Sequence, residues 1–298
     1  MSKVYEEVTN TIISLMEQGM IPWHKPWAGT EQGAISWNTG KPYSLLNQML
    51  LQVPGEYITF NQVQKAGGRV CKGAKSKKVY FWKQYKVEEK DEDGNPVMKE
   101  DGTPKTKLVP LLKSFNVFHL SDCEGVNAKW EDKLPEAPAK PIEAAEAALT
   151  EYVNREHITL IDDFLSDRAY YSPARDLINL PMIGQFEKAE EYYSTAFHEA
   201  THSTGHPSRL HRFEISGKNA AFGSEEYSKE ELVAEIGAAC ILHRMGIGTE
   251  DSIKNSAAYV QNWLKALKDD KQLIIGATAR AEKAVKLILN LKKEEEEE

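Results

Sequence analysis

His198-Glu199-Ala200-Thr201-His202 sets two imidazoles four residues apart with a carboxylate beside the first. On an α-helix that spacing puts both rings on one face, with Cβ atoms about 5 to 6 Å apart, so two ring nitrogens can converge on one tetrahedral cation. Glu199 then stands where a carboxylate acts as general base on water polarised by the ion. The flanks predict the helix. Phe186 to Thr204 contain no Gly or Pro, and Tyr193, Ala196, Phe197 and Ala200 recur at intervals of three and four. Gly205 and Pro207 stop it.

A second helix is predicted after Ser228, read as an N-cap with Glu231 three residues on. Glu231 and Glu235 share a face of this helix, and Val233 to Leu242 is apolar enough for burial nearly all round. A buried carboxylate needs a cation or a hydrogen-bond partner. Glu231 is therefore assigned as third metal ligand and Glu235 as the group behind a ligand histidine, with the reverse assignment as the alternative. A third-histidine pattern would need His ten residues after His198, and Ser208 stands there. His206 is left as a group that polarises a substrate carbonyl or simply faces the helix dipole, and Tyr227 as a second oxyanion partner. Zn2+ is the expected ion, with another divalent metal as the alternative. Ala169 to Pro181 reads as two short strands around Pro173, an edge on which an extended peptide could be held by strand addition.

The length of 298 residues, 41% of them hydrophobic, suits two ordinary domains. Cys71, Cys123 and Cys240 are odd in number and lack Cys-x-x-Cys spacing, which predicts a reducing compartment and a His/Glu metal site. The absence of an apolar run of about 18 residues and of a signal-peptide core predicts a soluble, cytoplasmic protein.

The net charge of −8 conceals an asymmetry. Residues 1 to 130 carry 17 basic and 14 acidic side chains against 20 and 31 beyond, so +3 faces −11. The break coincides with the Pro-rich stretch Glu131 to Pro141, which predicts a connector between a domain at 1–130 and another at 151–293, with 131–150 as linker and helix start and 294–298 as an acidic tail. Between Tyr57 and Val87 stand eight cations and no carboxylate: Lys65, Arg69, Lys72, Lys75, Lys77, Lys78, Lys83 and Lys86. Tyr80, Phe81, Trp82 and Tyr85 interleave with them. Unpaired bases stack on aromatic rings while cations follow the phosphates, so this segment predicts single-stranded nucleic-acid binding. Alternation puts Val79, Phe81, Tyr85 and Val87 on an inward face and Tyr80, Trp82, Gln84 and Lys86 on the binding face. Trp23, Trp27 and Tyr43 complete the candidate set, and Gly67-Gly68 and Gly73 mark a turn that either approaches phosphates or serves only the chain. A strand at Leu108 to Leu120 is expected to close a hairpin across the turns at Asp93-Gly94 and Asp101-Gly102.

The chain resembles the ArdC-type antirestriction family nearly end to end. The resemblance is carried by Pro22-Trp-His-Lys-Pro-Trp27, Asn38-Thr-Gly-Lys-Pro-Tyr43, the Gly68 to Gly73 turn leading to Phe81-Trp82, His198 to His206, Arg209, Arg212 and Glu230-Glu-Leu-Val-Ala-Glu235. It implies a plasmid-encoded protein with an N-terminal single-stranded DNA-binding domain and a C-terminal zincin-like domain, which protects conjugative DNA from host restriction. The ligand and base positions carry over to His198, His202, Glu231 and Glu199. The expected fold is α+β: a small antiparallel sheet first, then a helix-rich zincin-like domain. Three readings remain: steric protection by a DNA-binding protein, a DNA-recruited zinc metallopeptidase that cuts a restriction component, and a free-standing cytosolic metallopeptidase.

Overall fold

Val8, Ile12, Ile13 and Met16 repeat at helical spacing, and α1 (Lys3–Glu17) buries them on one face. The computed structural model describes residues 3–24, 33–89, 95–99, 102–130, 140–212, 225–248 and 257–291, without the side chains of 110, 225–228 and 257–259. Trp27, the Asp93-Gly94 turn, most of the connector, the acidic tail and the Tyr227 side chain lie outside the described residues. The first half continues with β1 (Ala34–Ser36), α2 (Leu45–Leu51), β2 (Gly55–Ile58), α3 (Phe60–Lys65), β3 (Arg69–Val70), β4 (Lys77–Glu88), β5 (Thr106–His119) and β6 (Cys123–Glu124). Its main sheet has the order β1-β2-β5-β4, antiparallel except that β1 runs parallel to β2. Helix α3 starts at a capping box in which Thr59 and Gln62 exchange hydrogen bonds.

The second half comprises α4 (Pro141–Arg155), β7 (Thr159–Ile161), β8 (Tyr170–Ser172), β9 (Leu177–Asn179), α5 (Ala189–Ser203), α6 (Glu225–Arg244), α7 (Ala257–Asp269) and α8 (Leu273–Ile288). The strands form a small sheet in the order β7-β9-β8. Helix α6 begins at Glu225, so Ser228 falls within its first turn instead of capping it.

The two halves share one core. Val8, Ile12 and Met16 of α1 and Leu45, Leu46 and Met49 of α2 join one cluster with Trp263, Leu267, Ile274 and Ile288. Trp23, expected on the DNA surface, is 1% exposed and meets Trp263 edge-on at 5.5 Å. Thr9 Oγ1 donates to Lys271 O at 2.7 Å, and Lys268 pairs with Glu17 at 2.8 Å. The reason is physical: the apolar stripe of α1 needs a cover, and the four-stranded sheet alone does not supply one. Among the described residues no helix is long and apolar enough to cross a membrane.

Candidate metal centre and nucleic-acid interface

Helices α5 and α6 cross closely because Gly237 has no side chain. A Cβ there would lie 2.7 Å from Thr201 Cγ2, and Thr201 is fully buried between the histidines' turns. This approach lets Glu231 on α6 reach the His198 and His202 face of α5. His198 Nε2 and His202 Nε2 lie 3.2 Å apart, and the Glu231 oxygens stand 3.5 and 3.2 Å from them. Tetrahedral ligands held at about 2.0 to 2.1 Å lie about 3.4 Å from one another, so these three edges fit one divalent cation. The three residues form the one group of His, Cys, Asp or Glu side chains of metal-ligating proximity found among the described residues.

The surroundings orient the rings. Glu235 Oε2 lies 3.6 Å from His198 Nδ1, and Glu230 Oε1 lies 3.5 Å from His202 Nδ1. Each imidazole thus turns its outer nitrogen to its own carboxylate and its inner one to the common point, the usual support of a ligand histidine. Arg212 fixes Glu230 in turn: its Nη2 donates to Glu230 Oε1 at 2.7 Å and to Thr201 O at 2.8 Å, and its Nη1 to Thr204 Oγ1 at 2.8 Å. Glu199 is 8% exposed beside both rings.

Burial disfavours charge on His198, yet Glu231 and Glu235 outweigh it and raise its pKa well above the ordinary imidazole value. Burial likewise opposes, and Glu230 and Glu231 overcome, at His202. Glu231 is held far below the ordinary carboxylate range against its own burial, by the two imidazoles. Such a set, rich in carboxylate around two rings, is the chemistry of a cation site in which metal displaces protons. Glu230 and Arg212 escaped functional assignment in the sequence. The available signal was that a second ligand histidine needs its own carboxylate; nothing in spacing singled out Arg212.

His206 is not in this group: its Nδ1 meets Ser208 Oγ at 2.7 Å. Nearby, the buried Arg209 donates to Ser203 O at 2.8 Å and to Asp176 Oδ2 at 3.0 Å, tying the end of α5 to the β8–β9 turn.

The hairpin of β4 and β5 stands out from the first half, paired over twelve residues from Lys77↔Val117 to Glu88↔Thr106. The expected binding face is corrected at its base. Tyr80 is 5% exposed, packed in the shared core, while Phe81 is 43% exposed. Val79 and Tyr80 are both buried because the strand enters between two clusters, one of them holding Val79 with Tyr57 and Val117. Three expected phosphate ligands are engaged within the fold: Arg69 pairs with Glu124, Lys77 Nζ donates to Leu51 O, and Lys78 pairs with Glu7. Burial also lowers the Lys77 pKa. Lys72, Lys75, Trp82 and Lys86 are exposed, and Tyr43 is half-buried against Tyr57 and Phe81. Gly68 serves packing, since a Cβ there would lie 2.4 Å from Val126 Cγ2.

The helix pair with its His, His, Glu donor set defines a zincin-like metallopeptidase fold, and a family model of that description matches residues 147–280. A second model, the N-terminal domain of anti-restriction factor ArdC, matches residues 2–118. The crystal structure of the antirestriction protein ArdC from plasmid R388 in its metal-free form is 33% identical, with a TM-score of 0.69, covering 96% of this chain and 97% of that one. Its Mn(II)-bound form is 31% identical at the same TM-score, covering 97% and 98%. This chain belongs to the ArdC antirestriction family. A DNA primase TraC of Escherichia coli is 36% identical over 96% of the chain, which spans about a quarter of the length of that relative (27%).

Proposed function

We propose that the protein binds single-stranded DNA without strong sequence preference and shields conjugative plasmid DNA from restriction in the recipient cytoplasm. The observation that carries this reading is the β4–β5 hairpin, an exposed, basic and aromatic arm on an otherwise acidic chain. Transferred DNA arrives as a single strand, and a sequence-tolerant protein along it excludes a nuclease. Lys83 on the arm, with Lys72 and Lys75 in the turn before it, supplies phosphate contacts.

His198, His202 and Glu231 hold a divalent cation in this reading, with Zn2+ as the resident ion. Such an ion supplies Lewis acidity toward water and a carbonyl oxygen. Glu235 and Glu230 hold the ring orientations, and Glu199 accepts and returns a proton at its carboxylate. The burial of Glu199 beside both rings favours a second reading, in which the domain cuts a restriction component brought to it by the DNA.

Plasmid transfer into a restricting recipient separates these. Replacing Lys83 and Lys113 together by Glu abolishes protection under either reading, and retained protection would count against the DNA role. Glu199→Gln keeps protection if shielding is steric and loses it, at unchanged DNA affinity, if proteolysis is required.

A further inference from the structure

The hairpin has two faces, and the fold treats them differently. Residues directly opposite one another in an antiparallel pair share a face. One face therefore carries Phe81, Lys83, Tyr85 and Val87 with Lys107, Val109, Leu111, Lys113 and Phe115. The other carries Lys78, Tyr80, Trp82, Gln84, Lys86 and Glu88. Helix α1 lies against the second: Tyr5 meets Trp82 edge-on at 6.3 Å, Glu7 takes Lys78, and Tyr80 and Leu112 are buried with the helices. This is the face the alternation had singled out for DNA, and it is partly covered and carries carboxylates.

The first face is open above Val79. Phe81 and Phe115, 43% and 45% exposed, sit 5.8 Å apart, and Tyr43 continues the row 6.0 Å from Phe81. Lys113 Nζ lies 4.8 Å from the centre of the Tyr85 ring, with Lys83 and Lys107 on the same face. No carboxylate stands on this face of the two strands. Exposed rings set among Lys83, Lys107 and Lys113, with the apolar Val87 and Leu111 between them and Glu89 only beyond the end of β4, where Lys105 pairs with it, fit a polyanion with stackable planes.

We infer that Tyr43, Phe81, Phe115 and Tyr85, with Lys83, Lys107 and Lys113, form the platform on which unpaired bases stack. The inference rests on the DNA reading above and names its site. The rings are inclined to one another, by 45° for Tyr43 and Phe81 and by 67° for Phe81 and Phe115. A continuous base stack cannot lie on such rings, whereas bases splayed from a single strand can each take one, and every base has a face to offer.

The test is fluorescence anisotropy of a labelled oligothymidylate with the full chain, its Phe81→Ala/Phe115→Ala double variant, Trp82→Ala and Phe81→Trp, each checked for an intact thermal transition and for size by gel filtration. The double variant is expected to bind at least about tenfold more weakly, Trp82→Ala less than about twofold, and Phe81→Trp as tightly as the parent. A larger loss from Trp82→Ala than from the double variant overturns the assignment of the face while leaving DNA binding in place. So does a double variant that keeps its affinity, or one that loses only self-association, which would make the patch an interface between copies. Failure of the unaltered chain to bind at low salt overturns the DNA reading and this inference together.

Discussion

The metal centre and the β4–β5 arm are built on opposite principles. At the centre, four carboxylates and two imidazoles stand between α5 and α6, and the outer nitrogen of each imidazole has its own carboxylate in the Glu235–His198 and Arg212–Glu230–His202 chains. On the arm, Phe81, Trp82, Leu108, Leu111 and Phe115 are 43 to 59% exposed. Enclosure fixes the geometry that a small cation requires, and exposure leaves planes and charges free for a long, variable polyanion. The difference teaches that one chain can build two polar regions whose residues obey different rules of burial.

The contrast is broken most sharply at the ligands. Glu231→Ala should weaken divalent-metal binding by more than about 100-fold in calorimetry, beyond the 10- to 100-fold typical of supporting residues, while single-strand affinity stays the same. An equal loss of DNA affinity would show that the sites are not separate. Trp23→Ala should cost about 3 to 5 kcal/mol in urea unfolding, because the ring leaves a cavity where the halves meet, and the full chain should still melt in one step. A stable variant with reduced DNA affinity would return Trp23 to the binding surface.

Asp176 gives a pH-dependent test. Burial raises its pKa, but the Arg209 and Tyr171 hydrogen bonds outweigh this and hold it below the ordinary carboxylate value. The folded pKa is depressed, so the stabilisation is present above the unfolded value of about 3.9 and is lost as pH falls through the folded pKa. Asp176→Asn should therefore destabilise by about 3 kcal/mol at pH 7, since it strands the buried Arg209, and the difference from the parent should shrink below about pH 4. A gap independent of pH would deny the ion pair. A smaller effect on metal binding than at Glu231 is expected at Glu230→Gln: metal affinity falls about 10- to 100-fold through loss of His202 orientation, and the thermal transition of the metal-free protein falls too, since Arg212 loses the charge of its partner. If metal affinity held, Glu230 would serve only Arg212.

The grouping of His198, His202 and Glu231 was legible in part, because helical periodicity fixes which side chains share a face; it left Glu231 and Glu235 interchangeable, and only the packing of α5 on α6 sets Glu231 against both rings and Glu235 behind His198. The α+β class and the hairpin were also legible from alternating and helical patterns. Which face of the arm is open was not, since alternation gives two faces without saying which one α1 covers. The shared core was hidden for a related reason. A Pro-rich connector suggests independent halves, and only the packing of Trp23 on Trp263 and of α1 near α7 reveals that the first half completes its core with the second. Nothing in the sequence spacing gave Arg209 and Arg212 a partner, because the carboxylates that pair with them lie 33 and 18 residues away.

The most direct measurement is the affinity of the full chain for single-stranded and double-stranded DNA of one sequence across a salt series. The account predicts tighter single-strand binding whose logarithm falls with the logarithm of salt by about 0.7 per phosphate contacted. Equal affinity for the duplex, or no binding at low salt, would contradict it.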